Sequence, residues 1–124
     1  MKIFTVDEAN EMLPVVRPKL ERLKKLYTRI SLLSDQAKAA ASASEAGGGM
    51  PGGALYVKAL YEIGRIMTEI AEDGIQLKDY DRGLIDFPCF RDGRVVLLCW
   101  QIGEREEIEW WHETEAGFAG RQRL

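Results

Sequence analysis

The sequence predicts an α+β fold, a long antiparallel helical hairpin packed with a small three- to four-stranded antiparallel β-meander. Three observations carry this. Apolar residues recur at alternating steps of four and three through the first third of the chain. A run of glycines follows them. After Gly74 the apolar period changes from helical to two. With 124 residues, one core and one domain are expected. Within residues 1–124 the helical hairpin takes 5–73, the glycine-rich connector 47–53, and the meander and tail 75–124.

Thr5-Val6-Asp7-Glu8 has the residues of a capping box, in which the Thr5 hydroxyl and the Glu8 carboxylate each accept from the other's amide. A short helix is expected from Val6 to about Met12. Pro14 removes an amide and disfavours helix at Leu13, so a break is expected there. Pro18 then falls in the first turn of a new helix starting near Val15. Val16, Leu20, Leu23, Tyr27, Ile30, Ser34, Ala37 and Ala41 form its heptad seam, with Leu26 and Leu33 beside it. Its far end decays into Ala and Ser, then Gly47-Gly48-Gly49-Met50-Pro51-Gly52-Gly53. No Lys-Ser/Thr follows these glycines and no strand precedes them, so they read as a connector, not a phosphate cradle.

The second helix is expected from about Ala54 to Asp73, with Tyr56, Leu60, Ile63, Met67 and Ile70 on one face and Gly74 as its stop. At ~1.5 Å per residue the first long helix reaches ~45 Å and the second ~30 Å. An uncovered length of apolar seam follows.

Leu84-Ile85-Asp86-Phe87 reads as a strand that Pro88 ends or places at an edge. Asp92-Gly93 is a hairpin signal leading into Val95-Val96-Leu97-Leu98-Cys99-Trp100. Ile108-Glu109-Trp110-Trp111-His112 forms the last strand of the meander, and Ile75-Gln76-Leu77 a fourth short one. The middle strand is apolar on both faces. One face can pack on the helices, and the other needs Phe118 or a second chain to cover it.

Apolar residues at 46% and charged residues at 30% make an ordinary globular mixture. The longest apolar run, Val95 to Trp100, is too short to span a bilayer. The start of the chain has no apolar stretch of a secretory signal, so a cytoplasmic location without membrane association is expected. Cys89 and Cys99 lack Cys-x-x-Cys spacing and read as buried thiols, with a disulfide or metal pair as the alternative. The net charge is −3, but Arg17, Lys19, Arg22, Lys24, Lys25 and Arg29 make the first long helix basic, while Glu104, Glu106, Glu107, Glu109, Glu113 and Glu115 make the last strand region acidic. Without interleaved aromatics the basic helix is a poor nucleic-acid surface; a solvated face, or pairing with the acidic region, is the better reading.

His112 is the only histidine. Alternation sets it beside Trp110, on what reads as the inner face, with Trp111 and the glutamates opposite. It is a candidate metal ligand, general base or structural residue. Asp86, between Ile85 and Phe87, needs a partner because an unpaired buried carboxylate is costly; Arg82, Arg121 and His112 are in reach. Asp86, His112, Glu104 and Glu113 offer oxygen and nitrogen ligands for zinc, manganese or magnesium. No serine nucleophile elbow exists. In the tail, Gly117 and Gly120 let the backbone press Phe118 and Arg121 against the body, where Arg121 either anchors the tail or binds an anion.

The run Lys78-Asp79, Arg82-Gly83-Leu84-Ile85-Asp86-Phe87-Pro88, Leu98-Cys99-Trp100, Gly103-Glu104, Trp111-His112-Glu113 and Gly117-Phe118-Ala119-Gly120-Arg121 resembles the bacterial domain-of-unknown-function 2203 family. Phe4-Thr5, Glu8-Ala9-Asn10 and Leu13-Pro14 match the start of its pattern, while the glycine-bearing hairpin tip departs from it. The resemblance implies a free-standing cytoplasmic protein and brings no activity with it. It points to Asp86, Trp100, Glu104, Trp111, His112 and Arg121 as site positions.

Two readings of function follow. The first is a self-associating, homodimeric interaction module, motivated by the long seam and the doubly apolar strand. The second is a small enzyme or metal- or anion-binding protein with a pocket at Asp86, Glu104, His112 and Arg121. There His112 and Asp86 are the catalytic or metal-ligating pair, and Arg121, Trp100, Trp111 and Glu104 contact the ligand. No cofactor is expected apart from the divalent metal of the second reading.

Overall fold

The computed structural model describes residues 1–43 and 53–124. The glycine-rich connector lies outside the described residues except for Gly53, as do Ser44 and the side chains of Ala37, Ala41 and Ser42. Helix α1 spans Val6–Ala43 and helix α2 Gly53–Glu72. Five strands follow: β1 Gln76–Asp79, β2 Leu84–Arg91, β3 Arg94–Gln101, β4 Trp110–His112 and β5 Gln122–Arg123. They form one antiparallel sheet in chain order, β1-β2-β3-β4-β5. The fold is therefore α+β, a helical hairpin on a meander, with β5 as a strand the sequence reading lacks.

The capping box forms as expected: Thr5 N donates to Glu8 Oε1 and Glu8 N to Thr5 Oγ1, both at 3.0 Å. The break at Pro14 does not. Pro14 and Pro18 both lie inside a continuous α1, so the expected short first helix and the long one are a single helix. Both rings sit on the exposed side of the helix, so neither has to be fitted into the packed core. The inner side is an unbroken apolar stripe across them, Ala9, Leu13, Val16, Leu20, Leu23 and Leu26. Burial of this stripe outweighs the roughly 3 kcal/mol that an interior proline costs.

Helix α2 is turned slightly from the expected face. Its buried residues are Ala59, Ile63, Ile66 and Ile70, whereas Leu60 and Met67 are 46% and 40% exposed. Polar contacts pin the hairpin: Arg22 forks onto Glu62 at 2.8 and 3.0 Å, and Lys19 lies between Glu69 and Asp73. The basic side of α1 is thus met by acidic residues of α2, and Arg17 reaches Glu106 of the acidic region at 3.3 Å.

A two-residue turn at Asp92-Gly93, with φ of 51° and 79°, joins β2 to β3. Strand β2 runs past Pro88, which pairs with Leu97. The Pro88 carbonyl faces away from β3 and accepts from Phe4 N at 2.7 Å. The ring nitrogen therefore points to an edge that β1 has already left, and no ladder bond is lost.

One face of the sheet, Ile85, Phe87, Cys89, Val96, Leu98 and Trp100, joins the stripes of both helices in a single core, with Phe4 edge-on to Phe87 at 5.2 Å. The other face carries Leu84, Asp86, Leu97, Cys99 and His112, also buried. The tail covers it. Pro14→Ala is expected to raise unfolding stability by on the order of 1 kcal/mol, read as a higher urea midpoint; a lower midpoint would mean the ring itself is needed for packing.

Candidate functional site

The β2–β3 turn sets the geometry of the site. It pairs each residue before Asp92 with the residue equally far beyond Gly93, so Asp86 falls opposite Cys99. On the other side of β3, His112 of β4 lies opposite Leu97. Asp86 and His112 thus reach toward each other across β3, over the face that carries Leu97 and Cys99. His112 does share a face with Trp110. That face is the one away from the helices, contrary to the inner position expected. Ile108 breaks the expected alternation, because β4 begins only at Trp110 and Ile108 turns into the helical core.

Asp86 and His112 are each only 2% exposed. His112 Nε2 lies 3.1 Å from both Asp86 carboxylate oxygens. His112 Nδ1 lies 2.7 Å from the Glu113 carbonyl; a carbonyl only accepts, so Nδ1 carries the proton. Two states satisfy this arrangement. Either Nε2 holds a second proton and donates to the Asp86 carboxylate in a buried ion pair, or Nε2 presents a lone pair and a proton on Asp86, or a cation between the two, must meet it.

Cys99 is the residue that the sequence reading left out of the site. One ligand atom from each of Asp86, Cys99 and His112 lies within 4.8 Å of the others, and all three residues are buried. Burial, reinforced by the Asp86 carboxylate, pushes the Cys99 thiol up to about 12. Without a cation it is an inert thiol at neutral pH. Cys89 points to the opposite face of the sheet, so the two thiols cannot join in an intrachain disulfide.

A cavity of about 150 Å³ opens beside this group, lined by Lys78, Leu84, Asp86, Leu97, Cys99, His112, Thr114, Gly117 and Phe118. Its roof is the tail. Gly117 takes φ 66° and ψ −167°, a conformation open essentially only to glycine. Two guanidinium groups approach the Phe118 ring, Arg82 at 4.1 Å and Arg121 at 4.6 Å from its centre. Arg121 donates to Glu104 Oε2 at 2.5 Å and also faces the Trp110 ring at 4.8 Å. The chain then returns to the edge of β4 as β5.

The expected site residues therefore separate. Asp86 and His112 come together. Glu104 and Arg121 form the clasp of the tail and do not line the cavity. Glu113 is engaged by Arg94. Trp100 lies on the helix side, with Nε1 donating to the Arg105 carbonyl at 2.8 Å, and Trp111, also on that side, packs against the core. Arg82 bonds Gln101 rather than Asp86. The signal for Cys99 was present in the sequence, since the Asp92-Gly93 turn alone dictates its pairing with Asp86.

In the native state neither thiol should react with an aromatic disulfide reagent at neutral pH. Gly117→Val, which strains the tail by roughly 1–3 kcal/mol, should accelerate reaction at Cys99 and leave Cys89 protected. Equal acceleration at both would indicate global loosening. The folded protein also holds the Cys99 proton to about 12, while the unfolded chain releases it in the ordinary thiol range. Stability present below that range should fall as pH rises toward the folded value, and Cys99→Ser should remove that part of the slope.

A family model described as "Uncharacterized conserved protein (DUF2203)" matches residues 2–124. No curated protein and no solved structure matches the chain.

Proposed function

We propose that this chain, which belongs to the DUF2203 family, is a metal-binding protein whose centre is made by Asp86, Cys99 and His112. The observation that carries the reading is the convergence of a carboxylate, a thiol and an imidazole nitrogen, all buried, beside a small cavity. The His112 Nδ1–H bond to the Glu113 carbonyl is the outer-shell arrangement that turns the Nε2 lone pair toward a cation. The separation of 3.1 Å between Nε2 and the carboxylate oxygens is close to the ~3.3 Å edge of a tetrahedral zinc site with bonds near 2.0 Å. The sulfur side, up to 4.8 Å, closes by roughly 1 Å on such an ion.

Sequence alone offered zinc, manganese or magnesium through oxygen and nitrogen ligands. The thiol narrows the set to zinc, because hard cations prefer oxygen donors. Three protein ligands leave a fourth position toward the cavity, as in sites that act on a substrate rather than only hold the fold. A cation there supplies Lewis-acid polarisation of an oxygen in that position. Asp86 and Cys99 contribute its charge balance, His112 its orientation, and the tail keeps bulk water off it.

Purified protein should carry or take up one zinc or cobalt(II) per chain, read by elemental analysis and calorimetry. Cys99→Ser, nearly isosteric, should weaken binding by more than the roughly 10–100-fold that loss of an outer-shell partner costs. His112→Ala leaves Asp86 buried without a partner and should destabilise the fold by about 3–5 kcal/mol, so Cys99→Ser is the cleaner variant. Absence of stoichiometric binding would dismiss the reading.

A second reading, self-association, rests on α2. Val57, Leu60 and Tyr61 are 65%, 46% and 75% exposed, and they line up with Gly64, Thr68 and Ala71 along one side. A side chain added at Gly64 would meet nothing within 4 Å. Two copies crossing antiparallel at Gly64 set Leu60 of each against Thr68 of the other, and Val57 against Ala71. The second motive expected from sequence, an uncovered face of the middle strand, is removed by the tail. Sedimentation should give a dimer that Tyr61→Glu converts to monomer; a wild-type monomer at micromolar concentration would end this reading.

A further inference from the structure

The open position of the centre faces a place with little net charge. A divalent cation is balanced by one carboxylate, Asp86, and one thiolate, Cys99, since coordination deprotonates the thiol. Asp86, Cys99 and His112 are 2%, 1% and 2% exposed, so water does little to screen what happens among them. The neighbouring cations leave that balance intact. Arg121, whose side chain is buried, is matched by Glu104. Lys78 lines the cavity, but it is an exposed residue whose ammonium keeps its hydration.

The walls act in the same direction. Leu84 and Leu97, 7% and 4% exposed, line the cavity beside the three ligands, and Phe118 lines it from the tail. A carboxylate entering here loses hydration against hydrocarbon and meets a centre with no charge left to attract it. A neutral oxygen donor loses far less, and its lone pair still serves the cation. Size sets the other limit. A closed cavity of about 150 Å³ is filled by a molecule of roughly benzene's size, so acetamide or a small aldehyde fits and a bicyclic amide does not.

We infer that the open position of the Asp86–Cys99–His112 centre takes a small neutral oxygen donor, a carbonyl compound or an alcohol, in preference to an anion, and that the Phe118 ring limits its size. This rests on the metal reading given above. Phe118 takes no part in holding the cation. It belongs to the tail, where the Gly117 conformation and the Arg82 and Arg121 guanidinium groups, 4.1 and 4.6 Å from its ring centre, set its position.

The test uses the full chain loaded with cobalt(II), whose near-ultraviolet thiolate charge-transfer band reports Cys99 ligation and whose visible bands report the open position. Acetamide and acetate share a shape and differ in charge. At constant ionic strength acetamide should shift the visible bands saturably, with the thiolate band in place. Acetate should bind at least about tenfold more weakly, which is roughly 1.4 kcal/mol. Naphthamide should leave the wild-type bands unmoved and shift those of Phe118→Ala, which should still bind acetamide. A thiolate band with no acetamide response, or acetate binding as tightly as acetamide, overturns the inference while leaving the metal centre standing. So does naphthamide binding to the wild type, or its failure to bind a Phe118→Ala protein that takes acetamide. The wild-type titrations decide the charge preference without any variant. Failure to form the thiolate band in the wild type overturns the metal reading and this inference with it.

Discussion

Strand β3 has to be kept from water on both of its faces, and the rest of the molecule follows from that constraint. Val96 to Trp100 are buried without exception. A sheet covered on one side by helices is the ordinary solution for an antiparallel meander. Here the second side is closed by the chain's own tail. The tail is a thin cover, held by the Arg121–Glu104 contact, by the Arg82 and Arg121 guanidinium groups against Phe118 and by the short return strand β5. The two faces of the sheet are consequently different environments. One is a thick apolar core; the other is a shallow buried layer in which polar side chains meet.

The same demand explains the helices. The stripe from Ala9 to Leu26 lies against the core on both sides of Pro14 and Pro18, and packing along it keeps α1 continuous through positions where local rules favour a break. Both rings stay on the solvent side, so the rule against interior prolines is overridden only where its cost is smallest. Beyond Leu26 the burial fades, and Leu32 is 58% exposed. The helix therefore outruns the core that justifies its first half.

In the shallow layer, burial gives three ordinary side chains their interest. A carboxylate, an imidazole and a thiol at the surface would each be hydrated and independent. With water excluded, each must find a partner, and the partners within reach are one another. His112 bonds outward through Nδ1 and inward through Nε2. The thiol remains protonated beside the carboxylate until a cation competes for its sulfur. Trp100 and Trp111, site positions that the family resemblance pointed to, belong to the opposite face and to the core.

Read by itself, the sequence determined the element types, the capping box, the Asp92-Gly93 turn and hence the β2–β3 register, and the need for Asp86 to be paired. These are local or period-two properties, carried by neighbouring residues and by hydrogen-bonding rules that act at short range. It also held the pairing of Asp86 with Cys99, legible from the turn though not drawn from it. Which face of the sheet meets the helices was decided only by tertiary structure, because alternation says which residues share a face and nothing about what covers it. The continuity of α1 was decided the same way, since its energy comes from contacts with distant strands. So was the choice among Arg82, Arg121 and His112 as the partner of Asp86: it depends on β4 lying across β3 and on the tail folding back, and neither is a property of any short stretch of the chain.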